Sequence, residues 1–151
     1  MQGYWRNPEA TREAIGEGWF KTGDVGYLDE EAFLFIADRK KDMICSGGEN
    51  IYSREVEEAL AAHPAVAEVA VIGVPDPKWG EAVKAFVALK AAASATEADL
   101  VEHCRTLIAS YKKPRSIEFM KALPRTNSTN KIDKKALREP YWAGRERRVV
   151  S

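Results

Sequence analysis

An α+β fold, a small mixed sheet with helices packed on it and a hairpin ahead of it, is what this sequence predicts, on three observations. Two apolar runs, Ala67 to Val74 and Ala82 to Lys90, are rich in Val, Ala and Phe and read as strands. After them Leu100, Val101, Cys104, Leu107 and Ile108 recur at helical spacing. The 151 residues are 45% hydrophobic and 30% charged, enough for one compact core with a short appendage, and this composition excludes disorder, collagen and coiled coil.

The elements follow in order. Val25 to Leu28 and Ala32 to Ile36, separated by the acidic turn Asp29-Glu30-Glu31, predict a hairpin after a Gly- and aromatic-rich stretch from Gly16 to Gly26. A two-stranded hairpin is marginal in water, so this one must pack on the rest of the chain or end a domain lying upstream. Beyond the charge cluster Asp38-Arg39-Lys40-Lys41-Asp42, residues 43 to 46 read as a strand entering a turn over Gly47-Gly48-Glu49-Asn50. Ser53 is placed to cap a helix with Glu55, Glu57 and Glu58 in its first turn and Val56, Ala59, Leu60 and His63 on one face, stopped by Pro64. Pro75 to Glu81 reads as a structured loop between the two long strands. Thr96 and Asp99 form a capping-box pattern ahead of the second helix. Ile117 to Met120 predicts a short strand, Leu123 to Asn130 a polar loop, and from Lys131 a short terminal helix with a mobile tail after Pro140.

The formal net charge is zero, which gives no reason to expect a nucleic acid or an anionic membrane as partner. Its distribution is uneven: from Lys112 onward twelve basic side chains face four acidic ones, a net +8 against −8 for the residues before. Such a tail solvates a surface or receives phosphates. Cys45 and Cys104 stand alone, without the spacing of a zinc site or a disulfide framework, and fit a reducing cytoplasm. There is no apolar secretion signal at the N-terminus and no run of membrane-spanning length, so Asn127-Ser128-Thr129 reads as a chance glycosylation match.

Taken singly, the polar motifs are ordinary. Thr22-Gly23-Asp24 is a common turn composition, Gly47-Gly48 a hairpin turn before it is an anion nest, and His63 and His103 lack the spaced partners of metal ligands. The signatures GxxxxGK[ST], HExxH and GxSxG are missing, so chemistry at these residues needs groups from elsewhere.

Their order is more specific. Gly18-Trp19-Phe20-Lys21-Thr22-Gly23-Asp24, Asp38 to Ile44, Ser46 to Ile51 with Glu55-Val56-Glu57, and Leu123-Pro124-Arg125-Thr126 before Lys131 together resemble the C-terminal signatures of the AMP-forming acyl-CoA synthetases. The resemblance extends over nearly the whole chain. It implies that residues 1–37 end a large upstream adenylating domain, 38–42 form a hinge, 43–139 form the C-terminal α+β domain and 140–151 a mobile tail. It implies a ligase that activates a carboxylic acid with ATP to an acyl-adenylate and passes the acyl group to CoA, with ATP and CoA as substrates. Magnesium is expected with the ATP but not bound by this chain, and no metal ligand is expected within it.

By the same resemblance Asp24 takes the ribose hydroxyls in a charge-assisted fork, and Arg39 and Asn50 add nucleotide contacts. Lys131 is the catalytic lysine, whose ammonium offsets the charge that builds at the α-phosphate. Lys41 is the hinge, about which the domain rotates between the two half-reactions. Gly47, Gly48 and Glu49 then line the pantetheine channel, and Lys113 and Arg115 meet the CoA phosphates or adenine. The family usually has Gly before the catalytic lysine; here Asn130 stands there, in a loop one residue longer, and Asn tolerates unusual backbone angles. The isolated chain is expected to be inactive. Two other readings remain open at this point: a stand-alone module binding CoA, a nucleotide or a protein, and an adenylation domain feeding a carrier protein. The wording of the motifs is closest to fatty-acyl and aryl-acid CoA ligases, and the particular acid is not encoded in them.

Overall fold

A computed structural model describes residues 1–145. The chain divides into two compact units, the first Met1–Lys41 and the second beginning at Asp42. The division falls inside the charge cluster expected to be a hinge, where Lys40–Asp42 make one 3-10 turn.

The first unit opens with α1 (Pro8–Ala14), a helix that the sequence reading did not find. Its N-terminus is set by Asn7, whose Oδ1 accepts from Ala10 N–H at 3.0 Å, and by Pro8 at the first helical position. The two-residue strands β1 (Ile15–Gly16) and β2 (Trp19–Phe20) pair antiparallel, and the expected hairpin follows as β3 (Asp24–Leu28) and β4 (Leu34–Arg39). Its turn is longer than predicted because Asp29 Oδ1 accepts from both Glu31 N–H (3.0 Å) and Phe33 N–H (2.8 Å), which delays β4 to Leu34. Gly26 sits at a bulge where a Cβ would fall 2.4 Å from the Phe35 carbonyl oxygen.

In the second unit β5 (Ile44–Ser46) and β6 (Glu49–Ile51) form a hairpin, α2 (Ser53–Ala61) follows, and β7 (Val66–Asp76) pairs antiparallel with β8 (Gly80–Leu89). Then come α3 (Glu97–Leu107), β9 (Ser116–Phe119) parallel to β8, and α4 (Lys134–Trp142). The sheet order is β6-β5-β8-β7, with β9 also on β8, so the fold is the predicted small mixed sheet with packed helices. β8 is central: β5 joins it at Gly80 and β9 along Lys84 to Val87.

Alternation along β7 and β8 assigns the faces. Val71, Val83, Ala85 and Val87 pack with Val56 and Leu60 of α2 and Leu100 and Cys104 of α3, while Ala70, Ile72 and Phe86 pack with Leu137 of α4 on the other side. A sheet covered on both faces explains why these strands read as unbroken apolar runs.

Four local expectations are corrected. The turn between β5 and β6 is Gly47-Gly48 alone, since Glu49 and Asn50 already pair with Ser46 and Cys45. Ser53 is not the cap of α2; Tyr52 holds that position, and Ser53 is fully buried, accepting from Lys134 Nζ at 2.8 Å. The loop after β7 shrinks to Pro77-Lys78-Trp79, because the Asp76 carboxylate accepts from Lys78 and Trp79 N–H and closes the turn early. Pro75 is tolerated because β7 is an edge strand. Finally, α4 begins at Lys134, not Lys131, capped by Asp133 onto Lys135 and Ala136 N–H, and it runs through Pro140 to Trp142. The expected tail from Pro140 therefore starts inside a helix, and its residues from 146 lie outside the described residues.

Candidate functional site

In the first unit, Asp24 and Arg39 face each other across the β3–β4 ladder, and Arg39 Nε lies 3.3 Å from Asp24 Oδ1. Asp24 N–H donates to Thr22 Oγ1 at 3.1 Å and Gly23 takes a φ of +77°, so the Thr-Gly-Asp turn aims a carboxylate beside a guanidinium at a strand end. Such a pair can bind a diol through the carboxylate and an anion through the guanidinium.

Lys131 lies exposed on a loop closed by its own hydrogen bonds. Thr126 N–H donates to the Lys131 carbonyl at 2.8 Å, Arg125 pairs with Ile132 as a β-bridge, and Arg125 Nη1 donates to the Asn130 carbonyl at 2.7 Å. Asn130 adopts a φ of +54°, the left-handed conformation that glycine fills most easily and asparagine tolerates best among the rest. Arg125 is also paired with Glu68 near the start of β7, which ties the loop to that end of the sheet. On the far side, Lys134 Nζ reaches Glu57 Oε1 at 2.6 Å, and that oxygen also accepts from Val71 N–H at 2.7 Å, so the start of α4 is pinned to α2 and β7.

The Gly47-Gly48 turn sits at the other end. Both residues have positive φ, +62° and +87°, as a two-residue hairpin of this twist requires. Gly47 is further constrained, because a Cβ there would lie 2.6 Å from the Trp79 ring, and its N–H donates to the Trp79 carbonyl at 2.8 Å. Gly47 and Glu49 line a cleft of about 260 Å³ with Trp79, Tyr111, Lys113 and Arg115. Arg115 lies over one ring of Trp79 at 5.4 Å and Lys78 approaches the same indole at 4.9 Å. Asp76, held below the usual carboxylate range by the Trp79 and Lys78 N–H groups, stays anionic beneath them. Lys112 is drawn to Glu55 on α2 at 2.7 Å, which raises its pKa and fixes the segment carrying Lys113 and Arg115.

The structure thus brings together Gly47, Glu49, Lys113 and Arg115, with Gly48 at the tip of the turn, and it holds Lys131 apart from them. Glu68 pairs with Ala88 and Gly80 adjoins Trp79, so eight residues of β8, roughly 27 Å at 3.4 Å each, separate the two anchor points. Asn50 is on β6, where its Oδ1 accepts from Cys45 Sγ at 3.4 Å. Lys41 is exposed in the 3-10 turn, and Asp42 beside it pairs with Arg138 of α4. Trp79 and Tyr111 were missed in the sequence: Tyr111 stands next to Lys112 but reads as a loop aromatic, and only folding brings Trp79 and the Gly47 turn to that segment. Among the described residues no group of three or more His, Cys, Asp or Glu side chains is placed to hold a metal ion. None of their helices is long and apolar enough to cross a membrane.

A small α+β domain with a lysine loop at one end and a glycine turn beside an aromatic, cationic cleft at the other defines a class, and comparison with known proteins places the chain in it. Residues 55–130 match the family described as AMP-binding enzyme C-terminal domain, and the chain belongs to that family. It is 50% identical, over 95% of its length, to the long-chain-fatty-acid–CoA ligase FadD13 of Mycobacterium tuberculosis, of which it covers 28%. It is equally 50% identical, over 91% of its length, to the 2-succinylbenzoate–CoA ligase of Geobacillus kaustophilus, again covering 28%. The solved o-succinylbenzoate CoA synthetase of Bacillus subtilis, in complex with an acyl-adenylate, superimposes with a TM-score of 0.84 at 42% identity, over 91% of this chain and 28% of that one. The chain therefore spans little more than a quarter of the length of these relatives.

Proposed function

We propose that this chain is the C-terminal domain of an acid–CoA ligase, which makes an acyl-adenylate from ATP and a carboxylic acid and then transfers the acyl group to the CoA thiol. The observation that supports it most is that the Lys131 loop and the Gly47-Gly48 cleft stand at opposite ends of one well-packed sheet. A single rigid body cannot bring both ends to one reaction centre together, so they act in turn, and the 3-10 turn at Lys40–Asp42 is the joint. In the first half-reaction Lys131 brings an ammonium to the carboxylate oxygen and the α-phosphate, where negative charge concentrates, while Asp24 and Arg39 hold the ribose and phosphate. In the second, the domain turns about Lys41, Lys131 withdraws, and the Gly47-Gly48 turn forms a wall that pantetheine passes by backbone contact. The Trp79 indole offers a face for the adenine of CoA, and Lys113 and Arg115 offer cations for its phosphates.

Magnesium accompanies the ATP and is held outside this chain. The setting is cytoplasmic, with Cys45 and Cys104 reduced, and the 151 residues alone are inactive because the acyl pocket and the triphosphate loop belong to the rest of the ligase. The test is single-turnover kinetics of the complete ligase with Lys131→Ala. Adenylation is expected to fall by about 10²–10³, the worth of one well-placed donor, while transfer from preformed acyl-adenylate to CoA stays near the parent rate. Equal loss in both halves would contradict the role given to Lys131.

A further inference from the structure

Glu81 is a carboxylic acid in a place that favours apolar groups. It is 6% exposed, second in β8, on the face shared by Val83 and Ala85. A buried carboxylate persists only where hydrogen bonds replace its water, and Glu81 Oε2 accepts from Cys45 N–H of β5 at 3.2 Å. The neighbouring strand is shaped to admit this side chain. Gly73 lies mid-strand in β7, where glycine is otherwise a weakness, and a Cβ there would stand 2.3 Å from Glu81 Oε2.

The bond matters because β5 is joined to β8 by a single residue pair, Ser46 with Gly80. Past that pair the backbone ladder ends, and the next β5 amide is met by the Glu81 side chain in place of a strand carbonyl. On the other side of Ser46, Gly47 N–H donates to the Trp79 carbonyl at 2.8 Å. These two bonds flank Ser46 and fix the height and tilt of the Gly47-Gly48 turn over the cleft.

We propose that Glu81 is a positioning residue for the transfer half-reaction, holding the coenzyme-facing turn through Cys45 N–H; this rests on the reading of that turn as the wall of the CoA channel. Glu81→Ala removes the acceptor and Glu81→Gln keeps one. Gly73→Ala is the second probe, since its methyl group displaces the carboxylate without removing it. Amide hydrogen exchange on the 151-residue chain reads the contact, and half-reaction kinetics of the complete ligase read its consequence. In Glu81→Ala and Gly73→Ala, exchange at Cys45 and Gly47 is expected to quicken about tenfold, roughly one hydrogen bond, with the amides of Val71 and Val87 unchanged. The KM for CoA rises and transfer slows by a similar factor, adenylation keeps its rate, and Glu81→Gln restores both. Unchanged exchange at Cys45 and Gly47, or uniform quickening across the sheet, overturns the positioning role. Loosened amides with undiminished transfer overturn the coenzyme reading of the turn instead, and the proposal with it.

Discussion

Asn130 shows how one backbone angle decides what a position accepts. Its φ of +54° lies where a Cβ crowds the following carbonyl, and its own carbonyl is gripped by Arg125, so the conformation is imposed by the loop. Asn130→Gly is expected to leave the urea midpoint of the chain close to the parent value, whereas Asn130→Val costs about 1–2 kcal/mol, the left-handed penalty for a branched side chain. Matching losses in the two variants would show that the angle is not what selects asparagine. This position was legible from residue type alone, as was the glycine pair of the β5–β6 turn, because both follow from local sterics. Trp79 was not: its meaning lies in meeting Gly47 and Arg115, 32 residues before it and 36 after, and no local rule reports such a distance. Cys104 is a case of burial deciding chemistry. Its thiol is pushed up to about 11 by loss of water, which leaves it an inert part of the core.

Among the elements, α3 was legible to its first residue. Thr96 Oγ1 accepts from Asp99 N–H at 3.2 Å and Asp99 Oδ2 takes the Thr96 N–H at 2.9 Å, the reciprocal capping its spacing predicts. The Asp99 carboxyl is held below its ordinary value of 3.8 by the Thr96 hydroxyl first and the Thr96 N–H second. A folded pKa below the unfolded one means that the cap stabilises fully above the unfolded value and is lost as pH falls through the folded value. Thr96→Ala is therefore expected to lower the urea midpoint clearly at about pH 7 and much less under acid conditions that protonate Asp99. A deficit that is the same at both pH values would rule out the carboxylate as part of the cap. The strands β7 and β8 were legible in type and short in extent, since Pro75 and Asp76 look like breakers until Asp76 is seen closing the turn from within the ladder. The short elements before Thr22 were invisible because none buries an apolar face, and the periodicity that reveals helices and strands comes from burial.

Over the whole molecule, the charge asymmetry of the sequence is partly offset by ion pairs that folding forms between the two segments. Lys112, Arg125, Lys134 and Arg138, all from the +8 segment, pair with Glu55, Glu68, Glu57 and Asp42, all from the −8 segment. Four of the twelve basic side chains of the tail are thus struts, with Lys113 and Arg115 at the cleft and Lys131 on its loop standing apart from them. The Asp42–Arg138 pair anchors the first residue of the second unit, directly after Lys41, to α4. On the function proposed above, one domain offers its two ends in succession by turning at Lys41. The direct measurement is the rate of each half-reaction in the complete ligase carrying Lys41→Pro, which stiffens the joint through the fixed φ of proline. The expected result is that acyl-adenylate forms at close to the parent rate while transfer to CoA slows markedly. An unimpaired transfer rate, or an equal slowing of both steps, would contradict it.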